Sequence, residues 1–243
     1  MSINVSVCMA TYNGAAYVKE QLESILADID ENDEVVIVDD ASTDSTLTVI
    51  ESIGDSRIRL LRQPANRGYV RTFEQAMLEA RGQVLLLADQ DDVWVEGRTK
   101  VLARAVQVNG VAASNLRLLD SGAPLRSPLS GRPWVLRKAD SHRRLRNEIK
   151  ILMGDMPYFG CAMGVTRDVL ARVTPFPSFL TESHDLWIAT VANRHGLMSH
   201  VEDFTIERRV HDSNASTPRP RGIRKVLRAR WMLVRAYIEA GSR

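Results

Sequence analysis

The sequence is poor in cysteine. Among 243 residues only Cys8 and Cys161 occur, far apart and each in apolar surroundings. A disulfide scaffold is excluded, and two buried, reduced thiols in a reducing compartment are expected. No uncharged apolar run approaches the roughly 20 residues of a membrane span. The stretch Met1-Ser2-Ile3-Asn4-Val5 lacks the basic region and long apolar run of a signal peptide. The expected location is cytoplasmic, or peripheral on the cytoplasmic face of a membrane. Glycine-rich phosphate loops are also missing. The first predicted strand is followed by Gly14 alone rather than GxGxxG, and no GxxxxGK[ST] occurs. A dinucleotide oxidoreductase and a P-loop enzyme are both disfavoured.

What remains is ordinary for a globular chain: 44% hydrophobic and 26% charged residues, enough for a real core. The net charge of +2 hides an asymmetry. Residues 1–130 hold 12 Lys+Arg against 19 Asp+Glu, whereas residues 131–243 hold 20 against 11. The acidic half suits a cation. The basic half suits an anionic partner such as phosphate, lipid headgroups or nucleic acid.

The first hundred residues alternate between two periods. Strands are predicted at 3–9, 35–38, 57–61 and 84–88, and helices at 15–27, from Ser42 or Thr43 to about 53, at 66–81 and at 96–108. The runs Val35-Val36-Ile37-Val38 and Val84-Leu85-Leu86-Leu87-Ala88 have the uniform apolarity of strands covered on both faces. This pattern predicts an α/β fold, a Rossmann-like, mostly parallel sheet flanked by helices, with ligands outside the carboxyl ends of the strands. The second half is less regular: a loop at 121–133, a basic helix at 137–153, a strand at 159–165, a helix at 182–194 and a strand at 199–210. A hinge at 218–222 leads to a basic helix over 223–240.

Three predicted strands end in polar clusters, which should converge on one edge of the sheet. After 84–88 comes Asp89-Gln90-Asp91-Asp92, whose carboxylates repel each other unless a cation neutralises them; hard oxygen ligands suit Mg²⁺ or Mn²⁺. A solvated acidic turn is the plainer alternative. Asp39 and Asp40 can accept hydrogen bonds from a base or ribose, or cap the following helix with Ser42 and Thr43. Tyr12 can stack on a base or simply pack. In Glu182-Ser183-His184-Asp185-Leu186-Trp187 a carboxylate can serve as a general base or favour the helix N-terminus. His211 can complete a metal site; His142, His184, His195 and His200 are assigned structural roles.

The order and spacing of several strings resemble glycosyltransferase family 2 over residues 3–216. They are Val7 to Gly14, Val36 to Asp44, Asn66-Arg67-Gly68, Ala88 to Trp94, Gly160 to Met163 and His184 to Trp187. The Arg-x-x-His-x-x-Asn string at 208–214 resembles the closing motif of a rhamnosyltransferase-like subgroup. The resemblance implies a GT-A fold and inverting, metal-dependent transfer from a nucleotide-diphosphate sugar, dTDP-rhamnose being one candidate. The implied acceptor is a glycan or lipid-linked glycan of a bacterial surface polysaccharide. It implies that Thr11, Tyr12 and Asp40, with Asp39, bind the nucleoside and that Arg67 or Arg71 lies near the nucleotide. Asp89 and Asp91 are implied to hold nucleotide and Mn²⁺ or Mg²⁺, His211 to be a further metal or diphosphate ligand, and Asp185 to be the catalytic base. Residues 1–110 would then form the nucleotide-sugar half, 111–216 the acceptor half, and 217–243 a basic helical segment that can lie on an anionic membrane through 219–243 or pack on protein. Two other functions compete. A sugar-1-phosphate nucleotidyltransferase would carry a basic, Gly-rich loop where Ala10 to Gly14 stand. A nucleic-acid-binding module would leave the acidic strand ends unexplained.

Overall fold

The computed structural model describes residues 4–211 and 222–243. Residues 218–221 of the predicted hinge at 218–222, with the basic Arg219 and Arg221, and Asn214 of the closing motif lie outside the described residues. The first half runs β1 (Val5–Thr11), α1 (Val18–Asp28), β2 (Glu34–Asp39), α2 (Thr46–Ile53), β3 (Ile58–Arg62), α3 (Tyr69–Glu79), β4 (Val84–Ala88), a two-residue β5 (Val93–Trp94) and α4 (Arg98–Asn109). The second runs β6 (Val111–Leu118), α5 (Arg144–Met153), β7 (Met163–Thr166), α6 (Arg167–Val173), α7 (His184–His195), β8 (Met198–Arg208) and α8 (Ile223–Glu239).

Among the described residues, the eight strands form one sheet in the order β3-β2-β1-β4-β7-β6-β8-β5. The first four are mutually parallel. β7 is antiparallel to both β4 and β6 and so splices the second half onto the first. β8 runs parallel to β6 and antiparallel to β5. Because side chains alternate along a strand, each buried strand feeds two cores. Val7, Met9, Val35, Ile37, Val84 and Leu86 face one layer with α1, α2 and α4. Cys8, Val36, Val38, Leu85 and Leu87 face the other, under α3 and the second-half helices. These side chains are fully buried, which is why the runs carry no polar alternation.

Several predicted elements shift. The helix expected from Ser42 or Thr43 begins at Thr46, because the Ser42 amide and hydroxyl both donate to Asp39 and hold the chain in a turn. The helix expected from Asn66 begins at Tyr69; Gly68, at φ 82°, enters it in a conformation open to glycine. The single helix expected over 137–153 is a 3₁₀ turn at Lys138–Asp140 followed by α5. The strand expected over 159–165 opens as a 3₁₀ turn, Gly160–Ala162, before β7.

Candidate active site

The carboxyl ends of β1, β2 and β4 open onto a cleft of about 580 Å³. Its wall includes Thr11, Tyr12, Asp40, Asp89, Asp91, Asp92, Asp185 and Arg208. The predicted convergence of three polar strand ends therefore occurs, and the N-terminus of α7 closes the opposite side. Local hydrogen bonds lock the strand ends together. The Tyr12 amide donates to Gln90 Oε1 at 3.0 Å and Gln90 Nε2 donates to the Tyr12 carbonyl at 3.1 Å. A Cβ at Gly14 would displace the Gln90 side-chain amide from this clasp. Three non-glycine residues at the rim, Asn13, Ala41 and Ser183, hold positive φ of 47°, 63° and 61°. Such backbone is uncommon and gathers at functional loops.

The candidate residues take different positions. Asp40 lines the cleft with its carboxylate fixed: Oδ1 accepts from the Arg67 amide at 2.7 Å and Oδ2 from the Gly68 amide at 2.9 Å. Tyr12 is 46% exposed, its ring free for stacking. Asp39, by contrast, is buried behind the cleft and spent on Thr11 Oγ1 and Ser42, so it holds the loop rather than facing the cavity. Arg67 contributes its backbone, and its side chain is exposed outside the lining. The Arg71 guanidinium is turned away and clamps the carbonyls of Phe176 and Pro177 and the Glu74 carboxylate.

The acidic string splits into two groups. Asp91 Oδ2 is 2.8 Å from His211 Nε2, and the His211 ring stacks on Tyr17 at 4.4 Å. Asp89, Asp92 and Cys161 form the second group, with one ligand atom from each within 4.8 Å of the others. The expected set of Asp89, Asp91 and His211 is thus divided; Asp92, noted in the acidic string but not assigned as a ligand, and Cys161, noted only within the Gly160 to Met163 string, stand beside Asp89. The link to β8 explains the first group. β5 pairs with β8 through Val93↔Glu207, so the chain leaving β8 is laid along the acidic loop, with the Arg209 amide donating to Asp92 Oδ1 at 3.2 Å.

Electrostatics follows from this crowding. Burial, then the charges of Asp92 and Asp91, push the Asp89 carboxyl well above the usual range. Burial and Asp91 push Asp92 up to about 6. A site that penalises its own carboxylates in this way fits a divalent cation, which would relieve the repulsion. Asp185 sits in the first turn of α7, its Oδ1 accepting from the Leu186 amide at 2.8 Å; burial raises it to about 6. His184 beside it is buried, stacked 4.3 Å from the Phe73 ring and driven by burial to about 3, so it is a neutral wall.

Two arginines complete the site. Arg208, over the Phe159 ring at 5.2 Å, lines the cleft and draws down Asp89, Asp92 and Asp185. Arg98 is fully buried and donates to the carbonyls of Leu87 and Cys161 and to Thr205 Oγ1. It ties the end of β4, the 3₁₀ turn and β8 into one frame. Arg208 opens the 208–214 string with no role assigned to it there, and Arg98 has no sequence signal beyond charge, because both roles depend on contacts between distant segments.

A sheet of this topology, with an acidic cleft at its parallel strand ends and Asp185 and Glu182 across from it, suits a transferase that takes a nucleotide-linked donor. The glycosyl transferase family 2 profile matches residues 6–170, and the chain belongs to that family. The chain spans about a third of the length of the first curated relatives it matches. Among curated relatives it is 23% identical over 193 residues to the UDP-Glc:alpha-D-GlcNAc-diphosphoundecaprenol beta-1,3-glucosyltransferase WfgD of Escherichia coli, covering 79% of this chain and 71% of that one. It is 32% identical over 112 residues to an uncharacterized glycosyltransferase of Nostoc sp., a match spanning 45% of this chain and 34% of the relative. Among solved structures, S. aureus TarS 1–349 in complex with UDP-GlcNAc superposes with a TM-score of 0.68 at 20% identity, covering 96% of this chain and 66% of that one. That likeness establishes the GT-A-type fold.

Proposed function

We propose that the protein transfers a hexosyl unit, with inversion and with the help of a divalent cation, from a nucleoside-diphosphate sugar to a lipid-linked glycan in bacterial surface polysaccharide synthesis. The observation that carries this is the opposition, across one cleft, of the strand-end carboxylates and Asp185. Tyr12 and Asp40 bind the nucleoside, with Thr11 beside them and Asp39 fixing their loop. Residues 1–110 supply this donor half, residues 111–216 the acceptor half, and residues 217–243 a basic segment. Asp89 and Asp91, with His211 on Asp91, would hold Mn²⁺ or Mg²⁺, which when bound would offset the negative charge developing on the leaving diphosphate. Asp185 takes the proton from the acceptor hydroxyl as that oxygen attacks the anomeric carbon. One base and no covalent intermediate suffice for inversion, by the same single-displacement logic as in inverting hydrolases. Arg208 supplies a fixed positive charge between the two sets of carboxylates. Lipid-linked acceptors are named for the relative WfgD and bring the enzyme to the inner face of the cytoplasmic membrane, with α8 as the contact.

The test is a donor screen with Mn²⁺ and a diphospholipid-linked sugar acceptor. dTDP-rhamnose enters from the motif resemblance and UDP-glucose from the name of the relative. Release of free nucleoside diphosphate with a glycosylated lipid is expected. Release of pyrophosphate would instead identify a nucleotidyltransferase.

A further inference from the structure

Cys161 is a nucleophilic cleft residue that the transfer chemistry does not use. It follows Gly160, whose backbone faces Asp185, and its own carbonyl is held by Arg98 at 2.5 Å. The main chain at the thiol is therefore fixed from both sides. Cys161 is 2% exposed, yet it lines the cavity. One ligand atom from each of Cys161, Asp89 and Asp92 lies within 4.8 Å of the other two, a spacing that a single ion can bridge. An independent observation points the same way. Asp92 is 2% exposed, its Oδ1 accepts the Arg209 amide, and its Oδ2 is buried without a hydrogen bond. The Cys161 thiol hydrogen-bonds the Asp92 carboxylate and steadies its charge, while Oδ2 itself has no partner. A buried carboxylate oxygen without a partner is costly, and a cation would satisfy it.

We propose that Asp89, Asp92 and Cys161 form a sulfur-bearing cation site at the floor of the cleft, which captures thiophilic divalent ions such as Zn²⁺, Co²⁺ or Cd²⁺ and takes Asp89 away from the catalytic cation. Two carboxylate oxygens and one thiolate are a donor set that Zn²⁺ accepts, with a fourth tetrahedral position left open. Mg²⁺ demands oxygen donors and octahedral geometry and gains nothing from the sulfur. Capture releases protons: the metal–sulfur bond forms as the S–H bond breaks, and that proton, with any proton held on Asp89, passes to solvent without any change of oxidation state. Burial pushes the Cys161 thiol well above its ordinary value. The consequence is inhibition by thiophilic ions that competes with Mn²⁺.

The inference rests on the transferase reading through Asp89, and the experiment separates the two. The whole chain is titrated with Co²⁺ and Cd²⁺ without nucleotide, and the ultraviolet thiolate-to-metal charge-transfer band is followed. The band is expected in the unaltered protein, in Cys8→Ser and in Asp91→Ala, because Cys8 lies in the opposite core layer and Asp91 belongs to the other group. It should vanish in Cys161→Ser, whose Zn²⁺ affinity should fall by at least about 10-fold, the lower end of the loss when even a supporting partner is removed. A thermal melt establishes that each variant is folded. No band in the unaltered protein, or an undiminished band in folded Cys161→Ser, overturns the site. Mn²⁺-dependent binding of UDP by the unaltered protein is measured beside it. Binding without a band removes the sulfur site and leaves the transferase reading; a band without binding does the reverse.

Discussion

Asp185 illustrates how one side chain acquires a task. It stands in the first turn of α7, where the free amides favour negative charge, yet burial holds its carboxyl up to about 6. A carboxyl with that value is ionised at neutral pH and remains basic enough to take a proton from a sugar hydroxyl as the bond forms. Asp185→Asn keeps the size and the hydrogen bond to the Leu186 amide but removes the base. General-base catalysis contributes roughly 10²–10⁴-fold, so kcat should fall by that order while donor affinity, set on the far side of the cleft, changes little. Single-turnover kinetics with calorimetric donor binding checks this. A kcat near that of the unaltered protein would move the base to Glu182, which also lines the cleft. His184, next to Asp185, shows the opposite outcome: the sequence places it beside an acid, and the fold makes it a neutral stacking partner of Phe73.

At the scale of elements, α5 carries the clearest titration. Glu148 is 4% exposed against α7, and burial outweighs the favourable charge of Arg194 and the polar groups of Thr190 and Asn193, raising its carboxyl from 4.5 to about 8. The folded state therefore holds a proton that the unfolded chain has lost above about pH 4.5. Stability attributable to this group declines as pH rises from about 4.5 to about 8 and is level beyond. Glu148→Gln should remove that slope and melt several degrees higher than the unaltered protein at pH 8.5, with little difference at pH 5. Melting curves from pH 5 to 9 read the difference directly; parallel curves for the two proteins would contradict the assignment. Nothing in the sequence marks Glu148, and the same holds for much of the second half. β2 and β4 were legible because strands buried on both faces admit only apolar residues. β6 was not. Its VAASNLRL run is small and polar, and Ser114 and Asn115 are acceptable inside only because Ala162, Thr205, Leu136 and Glu202 meet their hydrogen bonds. In the site, the residues on strand ends were readable from their order. Asp92, Cys161, Arg98 and Arg208 needed the splice of β7 and β8 into the sheet before their roles existed.

The whole molecule joins an acidic cleft to a basic helix. Among the described residues no helix is long and apolar enough to cross a membrane. The sequence left two uses for α8, packing or membrane contact, and the helix has separate faces for each. Met232, Leu233 and Ala236 are buried in the core shared with α7, while Arg230 Nη2 donates to the Met153 carbonyl of α5 at 3.0 Å. A second apolar stripe stays outside: Ile223, Leu227, Trp231 and Ile238 are 80%, 64%, 63% and 67% exposed. On α5, Leu145, Ile149 and Met153 are exposed at the same helical spacing. Arg224, Lys225 and Arg228 lie exposed on α8, and no acid interrupts the helix before Glu239. Apolar side chains beside an unbroken basic row match the headgroup layer of an anionic bilayer, where each basic side chain adds on the order of 1 kcal/mol. Removing the helix would uncover Met232 and Leu233 and confuse binding with unfolding, so the informative variant is Leu227→Glu with Trp231→Glu, which leaves the packed face intact. The unaltered protein should sediment with anionic vesicles at low salt and be released as salt screens the charges, and it should ignore neutral vesicles. The double variant should remain in the supernatant under all conditions while melting at an unchanged temperature. Equal sedimentation of both proteins, or of neither, would assign the stripe to a protein surface, and a mass of two chains by light scattering would identify a second copy as its cover.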